Sequence, residues 1–149
     1  MFKKENTVVI KWCKLSPDAK TPDFLHKEDA GADICSCENL TVMPGERKIV
    51  RTGLKVEVPE GYELQIRPRS GLSAKSPLII PNSPGTIDSG YRGEVGIIIW
   101  NTGNQPYNIR AGDRIAQVVV NKLPEVVHVE VTELSDSERG EKGFGSTGI

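Results

Sequence analysis

The chain has 149 residues, with 19 lysines and arginines against 20 aspartates and glutamates and a formal net charge of −1. That length suits one domain with a real core, and the balanced charge argues against a surface built to coat nucleic acid. No apolar run approaches the ~20 residues of a membrane span; Met1 to Asn6 has no apolar segment behind its lysines, so a cytoplasmic protein without a membrane partner is expected.

In chain order, Val8 and Ile10 alternate with Val9 and Lys11, which predicts a first strand. Ile49, Leu54, Val56 and Val58 are separated by polar or charged residues and predict another. Tyr62, Leu64 and Ile66 would face one side of a strand, with Glu63, Gln65 and Arg67 on the other. Ser70 to Ser76 predicts a helical turn or two, closed by Pro77. Later runs at Val95–Trp100, Ile115–Val120 and Val126–Val131 predict three more strands. The first two of these alternate little, so burial on both faces is expected. Turn formers separate the runs: Pro44-Gly45, Pro59-Glu60-Gly61, Asn82-Ser83-Pro84-Gly85, Gly103-Asn104 and Ala111-Gly112-Asp113. Short strands punctuated this regularly predict an all-β sandwich or barrel in a single domain.

Three cysteines, Cys13, Cys35 and Cys37, make an odd count with two at C-x-C spacing. They read as reduced thiols packed in or near strands. Neither His26 nor His128 stands at a zinc-ligand spacing from them.

The segment from Ser135 to Ile149 differs in kind, with four glycines, five charges and only Phe144 and Ile149 as large apolar residues. It cannot bury enough apolar area to offset its ordering entropy, so an arm that is mobile alone and folds over a ligand is expected. Within it, Arg139 offers two parallel hydrogen bonds to a phosphate, and the glycines let backbone N–H groups converge on phosphate oxygens. Phe144 is suited to stack on a base. Gly143 to Gly148 matches G-x-G-x-x-G, but that motif must open a helix and the chain ends one residue later. The bland alternative is a disordered glycine-rich tail.

Four further clusters carry chemistry. Arg67-Pro68-Arg69-Ser70-Gly71 runs from a strand through two arginines into a helix start, an arrangement for an anion or for an ordinary capping serine. Asn82 to Gly93 holds one carboxylate, Asp88, among turn formers. That carboxylate suits the orientation and deprotonation of a water beside a phosphate, or a simple Asx-turn. Asp33 follows small residues on a predicted strand; with phosphate oxygens it would suit Mg²⁺, which keeps several waters. Gln117 sits at the edge of an apolar run and needs a partner. A solvated turn is the plain alternative for each of the last two.

Taken together, Ala30-Gly31-Ala32-Asp33, Pro68 to Leu72, Gly85 to Gly93, Gly112 to Gln117 and Arg139 to Gly148 resemble, in order, the five motifs of the trimeric dUTPase family. The resemblance implies a jelly-roll-like β-sandwich, with residues 1–134 as the body. It also implies that 135–149 form an arm closing the active site of a neighbouring subunit in a homotrimer. The implied reaction is hydrolysis of dUTP to dUMP and pyrophosphate by in-line attack of water on the α-phosphorus, with Mg²⁺ as cofactor. That reaction limits uracil incorporation into DNA and supplies dUMP for dTMP synthesis.

By position, the resemblance makes Asp88 the residue that activates the water. Tyr91 becomes the aromatic against deoxyribose, and Asn82, Thr86 and Ile87 the hairpin that reads uracil. Arg69, Ser70 and Gly71 become the phosphate-binding turn, with Gln117 near the α-phosphate and metal waters. Asp33 would position the metal through water. Arg139, Phe144, Gly145, Ser146 and Thr147 match the closing arm, with Phe144 over the base. Two other readings compete. A dCTP deaminase shares the fold in family terms but uses a glutamate where this chain has Ile98. A non-catalytic trimer would be expected to lack the aspartate or the arm, and both are present.

Overall fold

The computed structural model describes residues 7–148; Met1 to Asn6, on which the expectation about a leader falls, and Ile149 lie outside them. The strands are β1 (Lys11–Lys14), β2 (Ala32–Cys35), β3 (Leu40–Val42), β4 (Arg47–Glu57) and β5 (Tyr62–Arg67), followed by helix α1 (Ser70–Lys75). Then come β6 (Leu78–Ile79), β7 (Gly85–Ile87), β8 (Glu94–Asn101), β9 (Tyr107–Ile109) and β10 (Arg114–Lys122). One sheet runs β1-β4-β8-β6, a second runs β2-β10-β5-β7, and β3 pairs with β9. All pairings are antiparallel, giving the expected all-β sandwich.

The core lies between the two larger sheets. Val50, Leu54, Val95, Ile97 and Ile99 from one meet Ile34, Leu64, Ile66, Ile115 and Val118 from the other. Each fully buried branched side chain is worth roughly 1.5–3 kcal/mol over leaving it in water. The expectation that Val95–Trp100 is buried on both faces is corrected. Burial alternates along β8, with Val95, Ile97, Ile99 and Asn101 buried while Gly96 is exposed and Ile98 and Trp100 are half-covered. In β10 the Val119 and Val120 side chains are likewise only half-covered. A run of branched residues satisfies strand propensity on either face, so it does not report which face is covered. On this outer face the Arg47 guanidinium sits 4.5 Å from the Trp100 ring centroid, and Ile49 is 67% exposed.

Two further expectations shift. The first strand is Lys11–Lys14 rather than Val8–Lys11, because its ladder to β4 begins at Lys11↔Glu57. Val126–Val131 forms no strand ladder: Val126, Val127, Val129 and Val131 are exposed and have no pairing strand among the described residues. From residue 123 to 148 no described residue is in a strand or helix.

Among the described residues every buried side-chain nitrogen and oxygen has a hydrogen-bond partner. The Asn101 amide donates to the carbonyls of Val42 and Gln105 at 2.9 and 2.8 Å, and its Oδ1 accepts from the Gly103 N–H at 2.9 Å. One side chain therefore ties β8 to the β3–β9 ribbon without leaving a buried orphan.

Candidate active site

Register brings the first group of site residues together. β10 is the middle strand between β2 and β5, and Gln117 stands opposite Asp33 on one side and Arg67 on the other. Pro68 and Arg69 follow Arg67 directly, and Ser70 opens α1. Ser70 does not cap that helix: the N-cap is Arg69, in extended conformation, with no side-chain cap bond. The result is a pocket of about 300 Å³ whose lining includes Asp29, Gly31, Asp33, Arg69, Ser70 and Gly71, together with Gln117.

Within this pocket the Arg69 Nε donates to Asp33 Oδ1 at 2.8 Å, and Arg114 Nη1 lies 3.6 Å from Asp33 Oδ2. The Gln117 Nε2 donates to the Pro68 carbonyl at 2.9 Å. Its Oε1 lies over Gly31, where a Cβ would stand only 2.2 Å from it. Glycine is therefore required at 31 to admit the carboxamide. Among the described residues no three His, Cys, Asp or Glu side chains group as a metal site. The donors at hand, one carboxylate and one amide oxygen, fit a hard divalent ion that keeps most of its waters and takes its other oxygens from a phosphorylated ligand.

The second group surrounds the turn between β7 and β8. β7 is the edge strand of its sheet and pairs with β5 through Leu64↔Ile87, Gln65↔Thr86 and Ile66↔Gly85. Its free edge leaves backbone groups available to a ligand. Asp88 to Tyr91 then forms a turn closed by the Tyr91 N–H on the Asp88 carbonyl at 3.1 Å. Asn82, Thr86, Ile87, Asp88 and Tyr91 line one pocket of about 190 Å³, with Ile97 and Ile98 also in its wall. Gly85 is buried against Ile66 and the Asn82 amide, and a Cβ there would lie 3.3 Å from Asn82 Nδ2.

Arg139, Phe144, Gly145, Ser146 and Thr147 join neither pocket. The hydrogen bonds of this segment are internal, such as Arg139 Nε to the Lys142 carbonyl at 2.7 Å and Gly148 N–H to the Gly145 carbonyl at 2.9 Å. Phe144 is fully exposed, with φ 32°, in the left-handed region. The two pockets themselves share no lining residue.

Sequence reasoning missed three supports of these pockets. Arg92 Nη1 donates to the carbonyls of Ser89 and Tyr91 at 2.6 and 3.0 Å and so braces the turn after Asp88. Glu94 accepts the Gly53 N–H at 2.9 Å and Arg51 Nε at 3.2 Å, filling the bulge in β4. That hydrogen bond pushes the Arg51 guanidinium further up from its ordinary value. Arg114 flanks Asp33. The charges were visible, but their partners depend on a turn and two register shifts that no local pattern encodes.

The dUTPase family model matches residues 18–148. The chain belongs to the dUTPase family. It is 48% identical over 143 residues to the deoxyuridine 5'-triphosphate nucleotidohydrolase of Thermobifida fusca, covering 95% of this chain and 80% of that one. It is 48% identical over 140 residues to the enzyme of the same name from Clostridioides difficile, covering 94% and 98%. Among solved structures it resembles the Staphylococcus bacteriophage 80alpha dUTPase with dUPNHPP, with TM-score 0.89 and 36% identity over 96% of this chain and all of that one. It also resembles a mutant dUTPase from phage phi11 of S. aureus, described as revealing the coordination of a structural Mg(II) ion. That match has TM-score 0.80 and 30% identity over 86% of this chain and 99% of that one.

Proposed function

We propose that this chain is a dUTP diphosphatase, hydrolysing dUTP to dUMP and pyrophosphate. The reaction limits uracil incorporation into DNA and supplies dUMP for dTMP synthesis. The observation that carries this reading is the division of the site into two complementary halves. One pocket is edged by Asp88 and Tyr91 against apolar walls; the other gathers Arg69, Ser70 and Gln117. A base with its sugar suits the first, and phosphate oxygens suit the second.

In this reading Asp88 holds and deprotonates the water that attacks the α-phosphorus in line with the departing pyrophosphate. Asn82 and the edge of β7 at Thr86 and Ile87 meet the uracil edge, and the Tyr91 ring lies against the deoxyribose. Arg69, Ser70 and Gly71 hold phosphate oxygens. A triphosphate carries roughly four negative charges, so cations and backbone donors dominate its binding. Mg²⁺ is the proposed cofactor; Asp33 would hold it through water, Gln117 would stand near the α-phosphate and the metal waters, and the ion would supply neutralisation of charge on the phosphate oxygens.

The working form is proposed to be a homotrimer, in which the halves of each site come from different copies. Residues 1–134 are the body, and residues 135–149 are an arm that closes over a neighbour's site. Arg139, Gly145, Ser146 and Thr147 would then meet the terminal phosphates, and Phe144 the base. The absence of any shared lining residue, the detached tail and the exposed valines from 126 to 131 support this reading. A deaminase is disfavoured because Ile98, in the wall of the Asp88 pocket, carries no proton to transfer.

Asp88→Asn tests the water-activating role. Nucleotide binding is expected to stay within a few-fold while kcat falls by roughly 10²–10⁴. Unchanged turnover would remove Asp88 from the chemistry.

A further inference from the structure

Between Tyr91 and β8 stands a glycine whose missing side chain has a specific consequence. A Cβ on Gly93 would lie 2.5 Å from Tyr91 Oη, 2.7 Å from Cζ and 3.0 Å from Cε2. The phenol thus occupies the space that any other residue at 93 would fill. Gly93 is not among the glycines with positive φ, so its backbone suits an L-residue and the obstacle is the ring alone. The ring is also pinned at its far end: Tyr91 Oη donates to the Glu94 carbonyl at 2.7 Å. That acceptor is itself held, because Glu94 pairs with Lys55 and its carboxylate takes the Gly53 N–H at 2.9 Å. Gly93 supplies the notch and Glu94 the peg.

We propose that Gly93 is a positioning residue that sets the dUTP-over-UTP specificity of the enzyme by fixing the plane of the Tyr91 ring. This rests on the reading that Tyr91 packs against the sugar. A ring seated in the notch presents a fixed apolar surface at the edge of the Asp88 pocket, and a ribose 2′-hydroxyl meeting it would lose its hydration without a partner. With alanine at 93, the far end of the Tyr91 side chain must swing away. The hydroxyl leaves the Glu94 carbonyl, and the surface that rejects the 2′-hydroxyl is displaced. Tyr91 is 43% exposed, so the ring has solvent to move into and the fold need not give way.

The test is a double-mutant cycle read as the ratio of kcat/KM for dUTP to kcat/KM for UTP, with Tyr91→Ala, Gly93→Ala and the double variant. Tyr91→Ala is expected to lower the ratio by about tenfold or more, within what one unmatched hydroxyl supports. Gly93→Ala is expected to lower it most of the way to the same value, and the double variant to match Tyr91→Ala alone. A Gly93→Ala enzyme that keeps the unsubstituted ratio, while Tyr91→Ala loses it, overturns the role of Gly93 and leaves that of Tyr91 standing. An equal drop from Gly93→Ala in the Tyr91→Ala background also overturns it, since the effect would not pass through the ring. If Tyr91→Ala keeps the ratio, the sugar reading falls and takes the proposal with it. Should Gly93→Ala fold poorly, recovery of folding in the double variant supports the clash, and no recovery contradicts it.

Discussion

Arg69 Nε reaches Asp33 Oδ1 at 2.8 Å across two adjoining segments, and the same carboxylate has Arg114 at 3.6 Å from its other oxygen. Before any ligand arrives, the pocket therefore holds its principal cation and its carboxylate against each other. Both are about a quarter exposed, a setting in which such a pair contributes about 1 kcal/mol or less. Asp33→Asn should thus lower stability by no more than about 1 kcal/mol. If Asp33 also orients metal-bound water, the Mg²⁺ concentration for half-maximal rate should rise by about tenfold or more. A Mg²⁺ titration of the variant checks this. An unchanged midpoint would leave Asp33 as a partner of Arg69 only.

Gly31 and Gln117 are coupled more tightly, because a Cβ at 31 would stand 2.2 Å from the carboxamide oxygen. Gly31→Ala should expel that side chain from the pocket and cost as much activity as Gln117→Ala. The double variant should be no worse than either. Additive losses would show that the two residues act separately.

How far these pockets were legible in the sequence depends on the scale of the element. β4 and β5 announced themselves through period two, and α1 through Ser70 and the closing Pro77. β3, β6, β7 and β9 have only two or three residues, too few to show a period, and are fixed by the strands they pair with. Val126–Val131 shows the converse: propensity marked a strand where the described residues supply no partner. At the site, Asp88 and Arg69 stood out as charges among turn formers. That Gln117 faces Asp33, or that Arg92 braces the turn after Asp88, follows from register and turn geometry.

Removing Arg139 to Ile149 tests the arm. Its described hydrogen bonds are internal and Phe144 touches no core residue, so thermal stability of the body should be unchanged. Turnover of dUTP should be lost, because the residues proposed to meet the terminal phosphates and cover the base are gone. A truncated protein that keeps its rate would make the segment dispensable, and one that dissociates or melts early would make it structural.

The three thiols should separate by reactivity. Cys13 is exposed, Cys35 half-covered and Cys37 buried, so a thiol reagent should modify Cys13 first and Cys37 last. Burial raises the Cys37 thiol above its ordinary value of 9.0. A raised thiol adds stability that is present in full below the unfolded value and lost as pH rises through the folded one. The melting temperature should therefore fall more steeply above about pH 9 in the unsubstituted protein than in Cys37→Ala. Parallel profiles would mean that Cys37 stays neutral in both states or ionises equally in both.

The most direct measurement is pyrophosphate release from the purified protein with Mg²⁺, comparing dUTP with UTP, dCTP and dTTP. Release from dUTP alone is expected, since the Asp88 hairpin would select the base and the Tyr91 ring the sugar. Equal release from all four, ammonia from dCTP, or binding of dUTP without turnover would contradict a dUTP diphosphatase.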